Sequence, residues 1–171
     1  VKYIIVLIDM YSRWIEYDIV SKVDTTSVIC FLKEIFLREG TPAYILTDNG
    51  VQFKSEEMKS FMKYCSIEQR FTALYHPRGN AMVERANRIF KGILQLAKKG
   101  KENWKNEIDK MIWSQRITVH SSTGESPFGI MRSRIPHSKL NPGWMERSMK
   151  FVWDEGKVKE HILESQRKKK V

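Results

Sequence analysis

Cysteine is scarce in this chain: Cys30 and Cys65 are the only two in 171 residues. Both fall in predicted helices, which excludes a disulfide framework as the source of stability and points to a reducing compartment. The four histidines, His76, His120, His137 and His161, share no finger-like spacing with them, so a structural zinc module is excluded. No apolar run approaches the ~18 residues of a membrane span, and no membrane partner is expected. Tyr3 to Ile8 is too short and poorly flanked for a signal peptide core. Internal repeats are also missing. Acidic residues are the minority, 20 against 30 Lys and Arg, for a net charge of +10. That surplus favours nucleic acid, or else an anionic membrane surface, although a basic soluble protein without such a partner has the same composition. The apolar content suffices for the core of one domain.

Neither end resembles a natural terminus. Val1 leads almost at once into a strand, and the chain stops at Gln166-Arg167-Lys168-Lys169-Lys170-Val171, within a predicted charged helix. A longer polypeptide is expected, with residues 1–140 as a core domain and 141–171 as a linker and charged helix leading onward.

Apolar residues at 3–9 and 13–20 predict two strands joined through Met10-Tyr11-Ser12 as a hairpin. A helix follows, with Asp24, Thr25 and Thr26 as N-cap candidates, an apolar face through Val28, Phe31, Leu32, Ile35 and Phe36, and Gly40 as its stop. Ala43 to Thr47 predicts a strand, and Ser55 caps a helix running to about Cys65 with Met58, Phe61 and Met62 inward. Ile67 to Phe71 predicts another strand, and residues 72–80 a loop. Helices are predicted over 81–98 and 103–119. The order β-β-α-β-α-β-α-α describes an α/β domain with a mixed sheet flanked by helices. Trp104 and Trp113 suit core packing or an interface.

Asp48 ends the third strand in Thr47-Asp48-Asn49-Gly50, and Glu84 lies on the basic helix in Met82-Val83-Glu84-Arg85, with 35 residues (49–83) between them. Taken singly, Asp48 is an ordinary turn aspartate and Glu84 an ordinary helix former. Together they form a candidate divalent-cation site. Glu84, Asn87, Arg88 and Lys91 fall at i, i+3, i+4 and i+7, one helical stripe that can serve metal and phosphate. The loop Tyr75-His76-Pro77-Arg78-Gly79-Asn80 sets a stacking aromatic beside a rigid proline and a flexible glycine, which suits substrate contact.

Four blocks carry a family resemblance: YIIVLIDMYSRWIE (3–16), TDNGVQF (47–53), YHPRGNAMVERANRIFK (75–91) and HSSTGESPF (120–128). Residues 1 to about 140 resemble the integrase catalytic core of retroviruses and gypsy-type LTR retrotransposons, in the ribonuclease H-like superfamily. The resemblance implies a polynucleotidyl transferase that joins element DNA 3′ ends to target DNA with two Mg²⁺ or Mn²⁺ ions held by Asp, Asp and Glu. It assigns Asp48 and Glu84 as the second and third ligands, and Tyr75, Asn80, Asn87, Arg88 and Lys91 to DNA contact or site support; Arg78, in the loop between Tyr75 and Asn80, is a further candidate for DNA contact. It also implies a homodimer or higher homo-oligomer acting in the nucleus after a cytoplasmic phase. The family's first strand, with its catalytic Asp, precedes the strand that resembles Tyr3 to Asp9, so that ligand is expected upstream of Val1 or lost. Asp9 is read as a structural residue rather than its substitute. An inactive, host-retained module that binds DNA or protein is the alternative this raises. The chain departs from the pattern at Arg78 (Gln in the family), Ala81 (Gly) and Ser133 (Gly).

Overall fold

Short-range hydrogen bonding fixes most element boundaries in the computed structural model, which describes residues 3–72, 104–134 and 136. The chain divides into two units, Val1–Leu7 with Glu16–Arg88, and Ile8–Ile15 with Ile89–Val171.

Strands β1 (Tyr3–Ile8) and β2 (Ile15–Val20), which belong to the first unit except for Ile8 and Ile15, pair as a two-stranded sheet. Helix α1 (Thr25–Glu39) starts where the Asp24 carboxylate accepts the Ser27 N–H at 2.9 Å and its hydroxyl at 2.7 Å, satisfying amides the first turn leaves open. It ends at Gly40, whose φ of 85° suits a residue without Cβ and whose N–H reaches Phe36 O. Strand β3 (Tyr44–Thr47) leads through a one-turn helix, α2 (Val51–Lys54), into α3 (Glu56–Tyr64) and then β4 (Glu68–Phe71). Ser55 Oγ accepts Met58 N–H at 3.2 Å, and Glu56 and Glu57 occupy the first turn of α3, where the helix dipole favours negative charge. Strands β3 and β4 are parallel, in the register Tyr44↔Glu68, Ile45↔Gln69, Leu46↔Arg70, Thr47↔Phe71.

The periodic apolar residues meet in one cluster: Val28, Ile29, Phe31, Leu32 and Ile35 of α1, Ile45 of β3, Met58, Phe61 and Met62 of α3, and Ile67. Phe36 stacks on Phe61 with centroids 6.0 Å apart. Cys30 is an exposed free thiol on α1, and Cys65 caps the end of α3.

The second unit contains the hairpin turn, α4 (Trp104–Ile117) and α5 (Pro127–Arg132). Its core includes Trp14, Ile108, Ile112, Ile117, Phe128 and Ile130. Trp14 lies 6.2 Å from Phe128, and Trp113 meets Phe128 edge-on at 5.7 Å, so Trp113 packs within its own unit. The HSSTG block is a compact turn. Thr123 N–H and Gly124 N–H donate to His120 O at 3.1 and 2.9 Å, and His120 N–H reaches Glu125 O at 3.0 Å. It delivers Ser126 as N-cap of α5 with Pro127 in the first turn.

Among the described residues the strands pair as two two-stranded ladders. Two details differ from the sequence expectation. Strand β2 begins at Ile15 rather than residue 13, because Arg13 takes a left-handed φ of 67° inside the turn. Helices α2 and α5 were not anticipated. The helix expected over 81–98 lies outside the described residues.

Candidate metal and nucleic-acid site

Asp48 follows β3 at the carboxyl end of a parallel strand pair, the end at which open α/β sheets bind ligands. The turn dipeptide after it gives the local geometry. Gly50 N–H donates to Asp48 Oδ1 at 2.9 Å, an Asx turn that fixes the carboxylate's orientation. Asp48 is exposed, and among the described residues its Oδ2 has no donor. A solvent-facing carboxylate with one oxygen oriented and the other open fits a hard divalent cation.

Two bonds hold the loop on either side of Asp48. Thr72 N–H donates to Thr47 O at 2.8 Å, continuing the ladder past Phe71. Asn49 Nδ2 then donates to Thr72 O at 3.0 Å. The Gln52 side chain folds against Gly50, where a Cβ would fall 2.5 Å from Gln52 Nε2. Thr25 Oγ1 donates to Gln52 O at 3.1 Å, and Gln69 Nε2 donates to Phe53 O at 2.7 Å. These bonds tie α2 to α1 and to β4. Lys54 places its ammonium 5.8 Å from the centre of the Phe71 ring, and Phe71 is 40 % exposed. Along the same strands, Arg70 covers Tyr44 at 4.0 Å and pairs with Glu68 at 2.6 Å. That hydrogen bond lowers the Glu68 carboxyl's pKa and raises that of Arg70.

Asp9 has a different setting. It lies in the second unit, where its Oδ2 accepts Ser12 N–H at 2.7 Å and Ser12 Oγ–H at 2.5 Å. Its own N–H donates to Trp14 O, and its carbonyl accepts Arg13 N–H, both at 2.9 Å. One carboxylate oxygen thus closes the hairpin turn. Glu84, Tyr75, Arg78, Asn80, Asn87, Arg88 and Lys91 lie outside the described residues. Among the described residues no three His, Cys, Asp or Glu side chains converge as a metal-holding group. Sequence reasoning missed Asn49, Gln52, Lys54 and Phe71. The pairing of β3 with β4, which carries the signal for Asn49 and Phe71, is not written in local spacing.

Solved structures with the same architecture define the class. The chain is similar to the simian T-cell lymphotropic virus intasome in complex with the PP2A regulatory subunit B56 gamma, with a TM-score of 0.66 at 22% identity, covering 80% of this chain and 51% of that one. It is also similar to the HTLV-2 integrase catalytic core domain in complex with magnesium (trimeric form), with a TM-score of 0.59 at 25% identity over 74% of this chain and 82% of that one. The fold is therefore that of ribonuclease H-like integrase catalytic cores. Residues 1–77 match the integrase core domain family. A Pol polyprotein of Radiation murine leukemia virus (strain Kaplan) is 36% identical over 139 residues, 79% of this chain and 24% of that protein. An uncharacterized protein of Caenorhabditis elegans is 30% identical over 127 residues, 73% of this chain and 10% of that protein. The chain belongs to the retroviral and retrotransposon integrase core family. It spans between a tenth and a quarter of the length of these two curated relatives.

Proposed function

We propose that this chain is the core of an integrase-type polynucleotidyl transferase of a gypsy-type LTR element, which in the full-length protein joins element DNA 3′ ends to target DNA. The observation that carries this reading is the setting of Asp48, exposed at the carboxyl end of β3, with one oxygen held by Gly50 N–H and the other open.

Asp48 and Glu84 would hold Mg²⁺ or Mn²⁺, which when bound activates the attacking oxygen and stabilises the leaving one. The protein's part is placement. Gly50 N–H aims the Asp48 carboxylate, and the α2 contacts to Thr25 and Gln69 fix the loop that bears it. Lys54 adds positive charge beside Phe71, which offers an exposed ring. Tyr75, Arg78, Asn80, Asn87, Arg88 and Lys91 would contact DNA or support the site. Asp9 is left out of the metal set, because the resemblance places the first ligand on a strand ahead of β1 and gives Asp9 a structural part. Its Oδ2 closes the hairpin turn on Ser12, in keeping with that part. With two assigned ligands, the 171 residues alone bind cation weakly and perform no strand transfer. Assembly as a homodimer or larger and action in the nucleus belong to the same reading.

A strand-transfer assay on the full-length protein tests it. Asp48→Asn and Glu84→Gln each abolish joining, and full activity in either would sink the assignment. DNA binding is largely sequence-independent and falls steeply with salt, as counterion release by Lys and Arg requires.

A further inference from the structure

We infer that Asn49 is a positioning residue for the Asp48 carboxylate, acting through the Thr72 carbonyl; the inference rests on the metal role proposed for Asp48. Among the described residues, the last main-chain rung between the β3 and β4 chains is Thr72 N–H to Thr47 O, 2.8 Å. Beyond it the β3 chain turns into Gly50 (φ −56°, ψ 144°) and α2. The Asn49 side-chain amide adds a further attachment, donating to Thr72 O at 3.0 Å. Asp48 stands between these two attachments, and its Oδ1 is tied to Gly50 N–H. The main chain is therefore anchored on both sides of the carboxylate, and the carboxylate itself is held within the turn.

This arrangement needs asparagine chemistry. An acceptor-only side chain cannot serve a carbonyl, and a hydroxyl on Cβ is too short to span the gap. Partners that orient a ligand without touching the metal typically set affinity by about tenfold to a hundredfold.

Mn²⁺ binding to this chain, followed by electron paramagnetic resonance, tests the inference with Asn49→Ala, Asn49→Ser and Asp48→Asn. Expected are weakening by about tenfold in both Asn49 variants, restoration of the full bound signal at saturating Mn²⁺, and loss of the site in Asp48→Asn. Thermal unfolding midpoints of the Asn49 variants should stay close to that of the unaltered chain. Unchanged affinity in the Asn49 variants alongside loss in Asp48→Asn overturns the inference and leaves the metal reading standing. Mn²⁺ binding that survives Asp48→Asn, or is absent from the unaltered chain, overturns both. If each affinity loss is matched by a large fall in midpoint, Asn49 is structural only and the inference fails.

Discussion

The Arg116 guanidinium stacks 4.1 Å from the centre of the Trp14 ring and donates to the Ile15 carbonyl, at 2.7 Å from Nη2 and 3.2 Å from Nε. One side chain thus covers the buried tryptophan and engages the carbonyl at the start of β2. Arg116→Ala is expected to cost roughly 1–3 kcal/mol in chemical denaturation. Arg116→Lys should recover less than half of that, because an ammonium lacks the planar fork. Equal stability of the Lys variant and the unaltered protein would show that charge alone suffices.

Thr47 is 8 % exposed, and its Oγ1 has no hydrogen-bond partner among the described residues. It alternates with exposed Asp48, so it shares the inward face of β3 with buried Ile45. Burial of an unsatisfied hydroxyl costs about 1–3 kcal/mol. Thr47→Val, close in shape, should therefore leave the unfolding midpoint unchanged or raise it. A marked fall would reveal a partner for the hydroxyl.

Ser27, through its hydroxyl first and its N–H second, lowers the Asp24 carboxyl from its ordinary 3.8 to about 2, with Lys22 assisting. A depressed folded-state value means that the capping contribution is fully present above the unfolded pKa and is lost as pH falls through about 2. Thermal melts between pH 5 and pH 2 should show this loss in the unaltered chain, and Asp24→Ala should remove that share of the pH dependence. Asp24→Asn, which still caps, should stay near the unaltered midpoint at pH 2. A pH profile identical in Asp24→Ala would exclude the carboxylate as its source.

Asp9 and Asp48 are separable by the same isosteric change. Asp9→Asn keeps an acceptor for Ser12 and should leave Mn²⁺ binding as it was. Asp9→Ala strips the turn of its acceptor and should destabilise the protein by about 1 kcal/mol, again without altering metal affinity. Loss of Mn²⁺ binding in Asp9→Asn would return Asp9 to the ligand set.

Elements whose limits are set within a few residues were legible in the sequence. Asp24, Gly40 and Ser55 act on amides or carbonyls in their own turns, so caps and apolar periodicity located α1 and α3. Asp48 was visible for the same reason, through the Asn49-Gly50 turn. Helix α2 was not, because a single turn has little preference of its own. It is held by Thr25, 27 positions from Gln52, and by Gln69, 16 positions from Phe53. Helix α5 carries a readable Ser126-Pro127 start, which the resemblance of HSSTGESPF to the family pattern absorbed as a motif. The Asn49–Thr72 bond and the Lys54–Phe71 contact depend on the parallel register of β3 and β4, which no local pattern encodes.

Ser133 closes α5 in the left-handed region at φ 49° and ψ 34°, and its N–H still reaches Gly129 O at 2.9 Å. The glycine usual at this place in the family would hold the same torsions without strain. The difference thus falls on one residue's backbone, roughly 1 kcal/mol, and removes no hydrogen bond from the helix end. A domain with ordinary reserves of stability absorbs that much. Serine at this position therefore leaves the end of α5 closed as a glycine would, with a little backbone strain.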